Sequence, residues 1–189
     1  MLPGAAELHP RSNASEACWQ LFGEVAAYQL GHLTTLGRVH QLMVDAYGAQ
    51  HAGASASRKG VAFALIGLRL SLEQGWSGDE IRDAHRYLAA ASKPWPEFAP
   101  PSHGAWMTVA DVAKATSPEA HARSVHGWAA SVWAAWGPAR DVVVALIERR
   151  LPVGVQSRIR AALSRDARGD RERASDPGPR RGGTGEGPR

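Results

Sequence analysis

The twelve residues His40-Gln41-Leu42-Met43-Val44-Asp45-Ala46-Tyr47-Gly48-Ala49-Gln50-His51 place two imidazoles, a carboxylate, a phenol and two carboxamides in an otherwise apolar, helix-like pattern. Imidazoles and carboxylates move protons near neutral pH, bind metals and orient ligands by hydrogen bonding. Helical geometry narrows these options. At 100° per residue, Leu42, Met43, Ala46 and Tyr47 share a broad apolar arc, and Gln41 and Asp45 fall on another face with Gly48. Asp45 is therefore expected off the main core stripe. His40 and His51 return to nearly the same angle, but about 16 Å of axis separates them, so they cannot share one ion. His40 and Asp45 diverge by about 140°. Any site on this helix has to recruit other elements.

Paired metal ligands on a helix usually sit three or four residues apart, because that spacing stacks them on one face. None of the eight His residues has a His, Asp, Glu or Cys at either offset. A self-contained helical metal site is not expected, and neither a metal nor a cofactor is predicted, although single ligands from several helices stay open. The chain also contains no Gly-x-x-x-x-Gly-Lys-Ser/Thr, no Gly-x-Gly-x-x-Gly and no Gly-x-Ser-x-Gly. The common phosphate-loop, dinucleotide and serine-hydrolase chemistries thus lose their main sequence support.

Helices dominate the flanking pattern. Asn13-Ala14-Ser15-Glu16 resembles a capping box opening a helix through Tyr28, with Cys18, Leu21, Phe22 and Val25 as its apolar stripe. Gly31 breaks that pattern, and a second helix is expected to start between Thr34 and Gly37 and to run to about His51. After a loop at 52–58, Val61–Leu72 is apolar nearly all round and should be the most buried helix, ended by Gly75. Ser77-Gly78-Asp79-Glu80 caps a helix to about Ala91, on which His85 is expected at the surface. Ser92–Met107, with four prolines and two tryptophans, should be irregular and either cover the core or act as a lid. Thr108-Val109-Ala110-Asp111 caps a short helix to Ala115, and Ser117-Pro118-Glu119 opens a long one. On it Val125, Trp128, Ala129, Val132, Trp133 and Trp136 repeat at three and four residues until Gly137-Pro138. Asp141–Arg150 reads as a last main helix, with Val142-Val143-Val144 leaving a strand open, and Val155–Leu163 as one short helix more.

Composition bounds the rest. A chain of 189 residues with 44% hydrophobic content and seven Trp supports one all-α domain, a bundle of six or seven helices. The expected division is an irregular segment at 1–12, a helical domain at 13–164 and a disordered tail at 165–189. The formal charge of +4 is shared between the tail, with seven Arg against five acids, and the remainder at 15 against 13. That remainder is no basic footprint, so no nucleic-acid partner is expected. A single Cys, at position 18, excludes an intramolecular disulfide, suits a reducing compartment and is expected to be buried. With no signal-like N-terminus and no apolar run long enough to span a bilayer, the expected location is the cytoplasm, away from membranes.

The string His40–His51, a following segment like Val61–Gly75, Pro100-Pro101, Thr108-Val109-Ala110-Asp111-Val112, and His121 through Trp136 together resemble a bacterial family catalogued as domain of unknown function 5946. The resemblance runs from about Ser15 to Arg150 and implies no established activity. It does imply that His40, Asp45, Tyr47, Gln50 and His51 form a signature, which a solvated helix face would not require. Family members carry an N-terminal Cys-Pro-Gly-Cys motif where this chain has Leu2-Pro3-Gly4-Ala5, so a zinc knuckle is not implied here. They also carry a His pair after the last Trp, where this chain has Pro138-Ala139.

The resulting expectation is a binding or interaction module with unknown activity. Its candidate polar cluster is His40, Asp45, Tyr47, Gln50, His51, His121 and His126, presented to a small molecule or a protein. The alternative is an enzyme with Asp45 or a His as general base, which requires those groups to line one pocket; a metal held by several helices would belong to it.

Overall fold

The computed structural model describes residues 13–90 and 94–163. The expected irregular segment 1–12 and the tail 165–189 lie outside the described residues. Seven α-helices follow in order: α1 (Glu16–Gly31), α2 (Leu33–Gln50), α3 (Arg58–Gln74), α4 (Gly78–Ala90), α5 (Val109–Ala113), α6 (Pro118–Ala135) and α7 (Arg140–Arg150), with a 3-10 turn at Gly137–Ala139. Residues 153–163 are also helical, two residues earlier than Val155. The architecture is all-α, and the described residues hold no β-strand.

The first cap differs from the expected one. Ser15, not Asn13, is the N-cap of α1, its hydroxyl accepting from the Cys18 amide at 3.2 Å. Asn13 instead reaches across the fold and donates its side-chain amide to the His51 carbonyl at 3.1 Å. The corner between α1 and α2 is also tighter than expected. Gly31 keeps helical geometry, and His32 alone, at φ −128°, turns the chain so that α2 begins at Leu33. The remaining boundaries follow local chemistry. Ser77 and Glu80 cap α4 reciprocally, Thr108 and Asp111 do so for α5, and Ser117 caps α6 with Pro118 in its first turn. α5 ends at Ala113, short of Ala115. Gly75 ends α3 at φ 67°, a left-handed conformation that glycine adopts without strain.

α2 lies at the centre, touched by α1, α3, α4 and α6. Such a helix has little face left for water, so nine of its residues are buried. α3 is buried over most of Val61–Leu70, as its apolar run requires. Against this pair α6 buries Trp128 and Trp133, followed by Trp136. A buried indole has to satisfy its N–H. Trp128 donates to Gln50 Oε1 at 2.8 Å, Trp136 to the Ala49 carbonyl at 3.2 Å, and Trp133 to Glu73. The valine run adopts α7, with Val143, Leu146 and Ile147 buried at helical spacing and Val142 exposed.

Residues 94–107 carry no regular structure and act as a core-covering strap. Trp95 is buried, Phe98 meets Trp136 edge-on at 6.3 Å, Gln50 donates to the Met107 carbonyl at 3.1 Å, and Arg150 donates to the Pro94 carbonyl. No helix of the described residues is long and apolar enough to cross a membrane.

Candidate functional site

α2 carries polar groups toward three neighbours. Toward α1 and α6, His40 meets Gln29, which is wholly buried near the end of α1. His40 Nδ1 lies 2.8 Å from Gln29 Oε1, and Gln29 Nε2 lies 3.1 Å from His121 Nε2 on α6. One carboxamide thus joins two imidazoles that are 81 residues apart in the chain. The amide oxygen only accepts and the amide nitrogen only donates. In this arrangement His40 Nδ1 carries a proton and His121 Nε2 is bare, which leaves the proton of neutral His121 on Nδ1. Burial, then the neighbouring His32, holds His121 below the ordinary imidazole range. Burial, then the Arg82 guanidinium, does the same for His40. Both imidazoles are neutral near pH 7.

His121 is only 2% exposed, yet it forms part of the wall of an open cleft of about 160 Å³. Leu21, Glu24, Val25 and Tyr28 of α1 form one side, and Ala113 and Ala115 at α5 form the other. The Tyr28 ring lies against His121, with centroids 5.1 Å apart, and against His32 at 4.4 Å.

The second group lies one helix length away, at the start of α1. Cys18 Sγ is 3.3 Å from His51 Nε2, and the Tyr47 hydroxyl also bonds the thiol. The Tyr47 ring is stacked on Phe22 at 4.0 Å and lies 4.4 Å from the His51 ring. Cys18 is half-buried, not fully buried as expected, because its thiol faces this polar pair. Burial raises the thiol above its ordinary range, partly offset by the Tyr47 bond, and burial lowers His51. The pair is therefore a neutral thiol beside a neutral imidazole, not an activated thiolate.

The third group faces α3. Asp45 is 3% exposed, although its angle lies off the main apolar stripe of α2. Gln41, one turn earlier, donates to Oδ1 at 3.0 Å, while Oδ2 has no partner among the described residues. The cause is Gly67 in the middle of α3: a Cβ there would sit 2.6 Å from Asp45 Cγ and closer still to Oδ2. The missing side chain makes the space that the carboxyl fills. The α3 group that meets the carboxyl is the backbone at Gly67, which offers it no side-chain donor. Burial raises this carboxyl well above its ordinary range, which favours its protonated form.

The remaining candidates stand apart from these groups. Gln50 is occupied by Trp128 and the strap, and His126 is exposed on α6. His85 departs from the surface role expected of it: it is half-buried, it bonds the Phe63 carbonyl at 3.0 Å, and burial lowers its pKa to about 4. Among the described residues no group of three or more His, Cys, Asp or Glu side chains could hold a metal ion. The seven candidates do not share one pocket: His40 and His121 are brought together, and so are Tyr47 and His51. Gln29 and Cys18 were missed as site residues. Gln29 had a signal, since it continues the Cys18, Leu21, Phe22, Val25 stripe at the next i+4 position with a polar side chain.

A family model described as a family of unknown function, DUF5946, matches residues 4–137. The chain belongs to this family. No curated protein and no solved structure matches. The matched stretch holds Gln29 with both histidines that it joins, and it holds Cys18, Asp45 and Gly67. It starts well before Ser15 and stops just before Pro138-Ala139, so α7 and the helix after it lie beyond the family match.

Proposed function

We propose that this member of the family is a small-molecule-binding module whose ligand enters the cleft between α1 and α5–α6. One observation carries the reading: His121 is nearly fully buried, its Nε2 is held by a buried carboxamide, and its ring still forms part of an open cleft wall. A recess that combines apolar walls with a few oriented polar groups is the usual composition of a ligand site. The size fits a ring, since an engineered cavity of about 150 Å³ takes up benzene. The binding reading is favoured over an enzyme because Asp45 and the histidines fall into separate groups and not one pocket. We infer a cytoplasmic setting from the single Cys and no nucleic-acid partner from the small charge excess outside the tail.

A ring-sized fragment library screened by amide NMR tests the reading. Residues 21–28 and 113–121 should shift, and Ala113→Trp should abolish those shifts. Ala113 is exposed, so this variant should keep its stability within about 0.5 kcal/mol. Fragments that bind elsewhere, or no binding at millimolar concentration, would sink the reading.

A further inference from the structure

The cleft has a polarity that follows from the chain of hydrogen bonds behind it. Gln29 is wholly buried and cannot exchange its partners for water. Its oxygen faces His40 and its nitrogen faces His121. With that orientation the imidazole of His121 has no lone pair free toward the cleft, because Nε2 is used and Nδ1 bears the proton. The hydrogen bond of the His121 ring within the described residues is the one from Gln29 to Nε2. The ring that carries the Nδ1–H donor lines the recess together with Leu21, Glu24, Val25, Tyr28, Ala113 and Ala115. Glu24, exposed at the rim, places a carboxylate beside the opening and disfavours an anion.

Resting on the binding reading above, we propose that Gln29 sets His121 as an Nδ1–H donor, so that the cleft selects a neutral, ring-sized molecule carrying a hydrogen-bond acceptor. Gln29 is a positioning residue and His121 makes the contact. The groups facing His121 fit this role: His32 and Tyr28 from the α1–α2 corner, and Glu24 from α1. On the far side burial and Arg82 of α4 disfavour a second proton on His40, and the Gln29 oxygen facing Nδ1 places the single proton there. Rotating the amide by half a turn would reverse every donor and acceptor in the chain. The cleft would then present a lone pair and prefer a donor ligand.

Two measurements test this, and they fail separately from the binding reading. Long-range nitrogen–proton NMR of imidazole-labelled wild-type protein at pH 7.5 reads the tautomers without any ligand. His40 and His121 should both be Nδ1–H, and an Nε2–H signature for His121 would overturn the proposal. Pyridine, benzene and pyrrole then act as ring-sized probes that offer an acceptor, nothing and a donor. In the wild type, pyridine should bind at least about tenfold more tightly than pyrrole, since an unmatched polar pair forfeits roughly one hydrogen bond. In Gln29→Leu, which releases His121 to its other tautomer, that ratio should fall to about one or invert. A wild type that prefers pyrrole, or a ratio unchanged in Gln29→Leu, would refute the assignment. If Gln29→Leu does not fold, the wild-type tautomers and probe order decide. If no probe binds while His121 is Nδ1–H, the binding reading fails and the internal relay stands.

Discussion

On the side of α2 that meets α1, buried polar atoms are paired across elements: Gln29 with two imidazoles, Cys18 with His51 and Tyr47. On the side that meets α3, Asp45 is paired only within its own helix and sits against the bare backbone at Gly67. The first interface supplies donors and acceptors from several elements, so its groups are oriented and neutral. The second supplies only space, so its carboxyl lowers its cost by keeping a proton. The same helix thus carries polar residues that specify geometry on one face and a polar residue that is tolerated on the other. Only the first kind reaches a cleft.

The largest test of that contrast is Gly67→Ala. The added methyl overlaps the Asp45 carboxyl, and overpacking a confined site should cost on the order of 3 kcal/mol in chemical denaturation. Combining it with Asp45→Ala should recover at least about 1 kcal/mol; additive losses would show that the two sites do not touch. Next, Gln29→Leu leaves imidazole nitrogens without their partner and should cost about 2 kcal/mol, while Gln41→Leu at the other face should cost less. Equal losses would erase the distinction between the two interfaces.

The pH dependence sharpens it further. Asp45 binds its proton more tightly in the folded chain than in the unfolded one, where its ordinary value is 3.8. Its contribution is fully present below that value and is lost as pH rises toward its shifted titration, at about 1.4 kcal/mol per unit. His85 has the opposite sign: its folded pKa of about 4 lies below the ordinary 6.5, so its contribution is present above 6.5 and is lost as pH falls to 4. Where the two windows overlap, the slopes offset one another. Asp45→Asn should therefore gain on the wild type as pH rises from about 4, until the carboxyl titrates. A stability difference independent of pH would show that Asp45 is ionised when folded.

Two small effects complete the series. The Cys18 thiol, raised by burial, should react with a thiol reagent more slowly at pH 7 than a free cysteine does, and Tyr47→Phe should slow it further by removing the bond that lowers its pKa. Rate acceleration in that variant would contradict the assigned direction. His126→Ala should change stability by no more than about 0.5 kcal/mol, because the side chain is exposed.

Local chemistry written in the chain determined the all-α class, the caps at Ser77, Thr108 and Ser117, the stop at Gly75 and the buried faces of α3 and α6. Each depends on residues within one or two turns, which periodicity and capping preferences read directly. The family-like string around His40–His51 also marked the helix that became central. Tertiary structure alone decided what those polar residues do. Gln29 meets His121 across 92 residues, and Asp45 meets Gly67 on another helix. A side chain's angle on its own helix is fixed by sequence, but whether water, a carboxamide or a missing Cβ lies opposite depends on which helix packs there. Asp45 lies off the apolar stripe of its own helix and is still found inside the core, and the seven candidates of the polar cluster divide among separate partners.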